Sequence, residues 1–327
     1  MVGFTDFAYG FILTWLLFSG RAAGETSLAR RARNVLGPLG TILVILAAAN
    51  LAAVMAVTIL DFSEFFTTVM PTTPKAVFWA SLLLLSTVTL LHGIEVLGRV
   101  GFILLPVVLL FVSTGILGSA VNLVPSQVAP VLERGIKTVI FGSIARMSYL
   151  NDLLALGFLG VFLGGSIKDK RYATYKGQLL IGVLFVVISI FLVGVLGQET
   201  AVRQNFKLFE VFRNAGSFGP GSAGFESLFV AVWVTLFYLK ISIVQGAVGT
   251  ALADVFRLPA KYFYVGAAIA TFLVILIAFP TRIQWVNFYI YIYPLYSLPL
   301  LLGFLVLLNL FPAKKGKKNK REANQKT

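Results

Sequence analysis

The stretch FGSIARMSYLND, residues 141–152, sets two opposite charges, Arg146 and Asp152, inside an otherwise apolar run. Gly142, Ser143, Ser148 and Asn151 accompany them. A carboxylate near the middle of a bilayer is costly unless it faces a cavity or a partner. On a continuous helix, six positions put Arg146 and Asp152 roughly 240° apart, so they cannot meet. They meet only if the backbone unwinds between Gly142 and Asn151. Transporters use such broken helices, with their exposed amides and carbonyls, to hold small polar ligands. Gly142, Ser143, Ser148, Asn151 and Asp152 are therefore the ligand-binding candidates. The alternative is an Asp152 hydrogen-bonded to neighbouring helices, with Arg146 reaching outward to the interface.

Lys240, in FYLKISIVQG, is a second charge in mid-span. Thr235, Tyr238, Ser242 and Gln245 share one face of that helix, within about 80°, and Lys240 points the other way. Arg146 and Lys240 are the candidate intramembrane charge partners of Asp152. Nothing in the sequence sets the two helices side by side.

Other chemistries lack their residues. The chain has no cysteine and one histidine, His92. That excludes disulfides, thiol catalysis and Cys/His zinc sites, and a Ser–His–Asp triad would have to use His92, at the end of a span. The glycine-rich GPGSAGFES at 219–227 lacks the Lys-Ser/Thr ending of a phosphate loop. No enzyme, cofactor or metal is expected.

The elements that must position these residues are membrane helices. Of 327 residues, 58% are hydrophobic and 12% charged, where soluble domains are about a quarter charged. Nine segments reach or approach crossing length: 5–19, 36–60, 76–92, 101–120, 137–165, 178–197, 227–252, 262–279 and 287–311. The connections on one side, among them Arg30, Arg31, Arg33, Lys168, Lys170 and Arg171, together with the tail hold 18 of the 27 Lys and Arg. The positive-inside rule makes that side cytoplasmic. The expectation is an all-α polytopic membrane protein, with residues 1–311 as one transmembrane domain and 312–327 as a basic cytoplasmic tail. The tail fits anchoring on anionic lipid rather than nucleic acid, despite the net charge of +14. Nine crossings leave Met1 outside, and the positive cluster after FAYGFILTWLLFS is the wrong order for a cleaved signal peptide.

The connections carry their own expectations. DFSEFFTTVMPTTPK at 61–75 reads as an outer turn closed by two prolines. FKLFEVFRNAG, within 198–226, reads as an amphipathic helix on the outer surface, either a lid or an interfacial element. Gly157, Gly160 and Gly164 have the small-residue spacing of close helix packing.

Five stretches, in order, resemble a known family: DFSEFFTTVMPTTP, GIEVLGRVGFILLPVVLL, NDLLALGFLGVFL, ESLFVAVWVTLFYLKIS and YPLYSLPLLLGFLVLL. They resemble the B subunit of GerA-type spore germinant receptors, which is similar to the amino acid–polyamine–organocation transporter superfamily. The resemblance implies ten helices in a five-plus-five inverted repeat, broken at the first and sixth around a ligand site. The first of the ten has no counterpart here, so about nine are expected. FGSIARMSYLND then corresponds to the break in the sixth helix, with Asn151-Asp152 where the family usually has Gly-Glu. Lys240 matches a lysine common in the family's eighth helix. The resemblance further implies a small nutrient ligand such as an amino acid, A and C receptor subunits as partners, and the spore inner membrane as location. It favours a germinant sensor; an amino-acid permease working by alternating access and a purely structural subunit are the alternatives.

Overall fold

A computed structural model describes residues 2–19, 27–128, 135–204, 206–215 and 224–311. The basic tail lies outside the described residues. Helix α1 (Val2–Leu17) is followed by α2 (Leu28–Leu36) and α3 (Pro38–Val69). Gly37, at φ 62°, makes the reversal between α2 and α3. A Cβ at Gly40 would lie 2.2 Å from the Ala32 carbonyl oxygen, so α2 lies flat on α3 only because residue 40 has no side chain.

Helix α3 corrects one expectation. It runs through Asp61 and Glu64 to Val69 instead of turning at residue 61. Phe62, Phe65 and Phe66 are buried there and pack against Phe78, Phe237 and Phe229. That burial holds the last turns helical until the residue before Pro71, where an α conformation is disfavoured. The turn is left with residues 70–74 alone, and Asp61 becomes a residue of the bundle.

Next come α4 (Lys75–His92), α5 (Glu95–Ser119) and α6 (Gly135–Met147). A 3-10 helix over Ser148–Leu153 joins α6 to α7 (Leu154–Leu159). Helix α8 (Ile167–Leu196) starts well before residue 178, because Ser166 and Asp169 form a reciprocal capping box ahead of the apolar run. Short α9 (Gln198–Arg203) and α10 (Lys207–Ala215) lead to α11 (Gly224–Phe256) and α12 (Ala260–Ala278). The last crossing is α13 (Arg282–Asn287), a π-helical turn at Phe288–Ile292, and α14 (Tyr293–Leu310). Pro294 explains the π turn: it has no N–H to give and its ring crowds the carbonyl four residues back.

Seven helices are long and apolar enough to cross a membrane, and Phe7–Leu17 and Leu150–Phe162 are shorter apolar helices. These match the nine expected segments; the two short ones are the first and the fifth. The chain is an all-α polytopic membrane protein, with no strand among the described residues. Helices α3 and α11 form the central contact of the bundle. Helices α5 and α8 bury only 11% of their most apolar windows, as lipid-facing helices do.

Helix α10 is docked. Phe206, Phe209 and Phe212 join a cluster with Phe65, Phe111, Phe229 and Trp233. Phe212 fills the notch at Gly115, where a Cβ would stand 2.0 Å from the ring. Of the three spaced glycines, only Gly157 is a packing site, against Leu17 and Leu28.

Candidate functional site

The segment after Met147 does not unwind. It tightens, with backbone angles staying helical through Leu154. A 3-10 turn keeps most amides bonded within the chain, so the backbone offers fewer free groups than a true break. What it changes is side-chain direction, since a 3-10 turn advances 120° per residue instead of 100°.

Asp152 and Lys240 meet. The Lys240 Nζ lies 2.9 Å from Asp152 Oδ2, and the side chains keep 37% and 28% of their accessibility respectively. The pair is thus enclosed by the bundle but reachable. Asp152 Oδ1 is buried with no hydrogen-bond partner among the described residues. Asp61, exposed on α3, lies within electrostatic range of Lys240 and of Arg282.

Asn151 is fully buried beside the pair. The Tyr9 hydroxyl donates to its Oδ1 at 3.0 Å, and its Nδ2 donates to the Tyr293 hydroxyl at 3.5 Å. Asn50 of α3 stands beside Tyr293 and leaves its Oδ1 without a partner. Four separate parts of the fold therefore converge: α1, α3, the 3-10 turn and α14. Ser143 and Ser148 are also buried, and both are engaged with other groups. Gly142 is open, with nothing within 4 Å of a Cβ placed there, and takes no part in the packed cluster. The side chain of Arg146 lies outside the described residues.

The polar stripe of α11 has a different task. Ser86 donates to Gln245 Oε1 at 2.6 Å, while Gln245 Nε2 donates to Thr87 Oγ1 at 2.8 Å and to the Tyr264 carbonyl at 2.9 Å. Tyr238 shares a hydrogen bond with Thr89 at 2.6 Å. The stripe binds α11 to α4 and α12, which leaves the opposite face, with Lys240, toward Asp152. His92 is spent on the Val88 carbonyl at 2.8 Å, at the exposed end of α4.

Sequence reasoning missed Tyr9, Asn50, Asp61 and Tyr293. Asn50 was findable, as the one amide in the apolar run 36–60. Tyr9 and Tyr293 carry no local signal, because aromatic residues are common in such helices.

A family model described as "Spore germination protein" matches residues 7–282. The chain belongs to the spore germination protein family. The matched span includes Tyr9, Asn50, Asp61, Asn151, Asp152 and Lys240. Among curated proteins, none matches the sequence. The family is one of permease-type membrane proteins, not of enzymes, and its membership assigns this integral membrane protein a role in germination.

Lys240 is a cation paired with Asp152 and within electrostatic range of Asp61, and Asp152 Oδ1 and Asn50 Oδ1 are acceptors unused among the described residues. A small molecule carrying both an anionic and a cationic group could satisfy all of these at once.

Proposed function

We propose that this spore germination protein binds a small zwitterionic nutrient, such as an amino acid, at Asp152, Asn151 and Lys240, and passes the event to A and C receptor subunits in the spore inner membrane. The observation that carries the reading is the reachable Lys240–Asp152 pair with its unpartnered Asp152 Oδ1. An isolated structural ion pair would use its acceptors internally; this one holds Asp152 Oδ1 in reserve. An ammonium group fits Asp152, and a carboxylate fits Lys240 once the pair opens. Ser143 and Ser148 frame the turn, while Gly142 and Arg146 belong to its approach from α6. Signalling requires that the ligand prefer one arrangement of this pair over another, since equal affinity shifts nothing. The basic tail anchors on anionic lipid.

The test is dipicolinic acid release from spores across an amino-acid panel, with the gene deleted and then complemented by wild type, Asp152→Asn or Lys240→Ala. A charge-assisted hydrogen bond is worth about 1.5–3 kcal/mol, so Asp152→Asn should raise the half-maximal nutrient concentration about tenfold or more. An unchanged dose–response in both variants would overturn the proposal. Uptake of labelled amino acid into vesicles, abolished by Lys240→Ala, would instead identify a permease with Lys240 switching between Asp152 and Asp61.

A further inference from the structure

At the other end of α11 lies a second polar construction that the nutrient site does not use. A cavity of about 580 Å³ is lined by Arg30, Arg33 and Arg257, with Asp254, Phe162 and Leu258. It sits where α2 meets the turn between α11 and α12, at the arginine-rich end that the positive-inside rule makes cytoplasmic. We propose that this cavity binds the phosphate of an anionic ligand, supplied by a phospholipid of the cytoplasmic leaflet.

Three guanidinium groups face one carboxylate, and that carboxylate is already engaged. The Ser27 hydroxyl donates to Asp254 Oδ2, and Arg30 Nε donates to Asp254 Oδ1 at 2.7 Å. Arg33 donates from one Nη to the Asp254 main-chain carbonyl at 2.9 Å, which also quenches the negative end of α11. Among the described residues no hydrogen bond or ion pair holds Arg257, which is exposed. The cavity therefore carries an excess of two positive charges and has guanidinium donors to spare. A phosphate, with several acceptor oxygens, is the complement of an arginine cluster.

The backbone points the same way. Arg257 is the one non-glycine residue with positive φ among the described residues, at 58°. A bulky residue held in that region costs energy that Gly or Asn would avoid. The turn thus holds an arginine in a strained setting at the cavity wall. Ala260, also in the wall, opens α12 and brings the positive end of a 19-residue helix to the cavity.

The apolar rim selects the source. Phe162 and Leu258 are 51% and 54% exposed, and Phe256 beside them is 55% exposed. Such side chains at a membrane boundary suit acyl chains, whereas a freely diffusing phosphate has no use for them. Arg31, next in sequence to Arg30, belongs elsewhere: it is buried and donates to Asn309 Oδ1 at 2.8 Å, and burial pulls its guanidinium below the usual range.

The test uses the full chain purified in detergent and native mass spectrometry with added phosphatidylglycerol or phosphatidylcholine. Arg257→Gln is the leading variant, because Arg257 makes no bond that folding would miss. One arginine near a lipid surface changes affinity about fivefold, so Arg257→Gln should weaken phosphatidylglycerol retention about fivefold and leave phosphatidylcholine unchanged. Replacing Lys314, Lys315, Lys317 and Lys318 of the tail with Gln separates the tail's contribution and should leave the Arg257 effect intact. A parallel arm measures the thermal shift with inorganic phosphate alone. A shift with phosphate equal to that with phosphatidylglycerol would overturn the lipid as source, and equal retention by wild type and Arg257→Gln would overturn the site.

Discussion

Cutting the Lys240–Asp152 pair from either side should have unequal consequences. At 2.9 Å, two unit charges attract by about 6 kcal/mol at an effective dielectric of about 20. Much of that is offset by lost hydration. Breaking a fully buried pair costs about 3–5 kcal/mol, and exposed pairs contribute about 1 kcal/mol or less. With side chains 37% and 28% accessible, this pair falls between those limits. Asp152→Asn leaves Lys240 with Asp61 still in range, so the loss should be about 1 kcal/mol. Lys240→Met strands a carboxylate whose Oδ1 already lacks a partner, and should lose about 3 kcal/mol. The double variant removes both charges and should cost about 2 kcal/mol less than the two singles together. At about 2 °C per kcal/mol for a chain of this size, Lys240→Met should lower the unfolding midpoint by about 6 °C. The assay is thermal unfolding of the detergent-purified protein followed by tryptophan fluorescence. Equal single losses with strict additivity would refute the reasoning, since they would mean that neither charge senses the other.

Two further substitutions test the packing that frames the site. Gly115→Ala puts a Cβ 2.0 Å from the Phe212 ring; it should cost about 1–3 kcal/mol and be rescued by Phe212→Ala. With no cysteine in the chain, a Phe209→Cys reporter should label faster in the Gly115→Ala background, and unchanged labelling would count against a docked α10. Gln245→Leu removes the acceptor of Ser86 and the donor to the Tyr264 carbonyl, and should cost about 1–3 kcal/mol in the same unfolding assay. Ser86→Ala should cost less, because Gln245 keeps both of its Nε2 bonds.

The opening stretch shows how far reading went and where it stopped. Arg146 and Asp152 within an apolar run single the segment out, and the structure changes helix type there. The means differs: six residues of 3-10 helix stand where unwinding was expected. The difference is one of hydrogen-bond accounting. In a membrane an unwound backbone must find partners in protein or water, and a 3-10 turn supplies them from its own chain. Asp61 was misread for a related reason. Its neighbours Ser63, Glu64, Thr67 and Thr68 look like a turn by composition, but Phe62, Phe65 and Phe66 bury deeply enough to keep the helix going. Thr67 and Thr68 satisfy their hydroxyls on the backbone of that helix, Thr67 on the Glu64 carbonyl at 2.9 Å and Thr68 on that of Phe65.

The sequence by itself determined the class of the protein, the number of apolar segments, and the two mid-span charges, Asp152 and Lys240, that the fold pairs. It also assigned Lys240 to the face opposite the polar stripe of α11, because angular spacing on one helix is a local property. Only the tertiary structure decided that this face meets the 3-10 turn, that Tyr9 and Tyr293 clasp Asn151, and that Asp61 stands within reach of the same lysine. In a soluble helix the apolar stripe shows which side faces the core. Here most of each crossing helix is apolar on every side, since lipid and neighbouring helices ask for the same surface. Which helices touch, and through which residues, is therefore set by shape and by a few buried polar bonds between segments far apart in the chain.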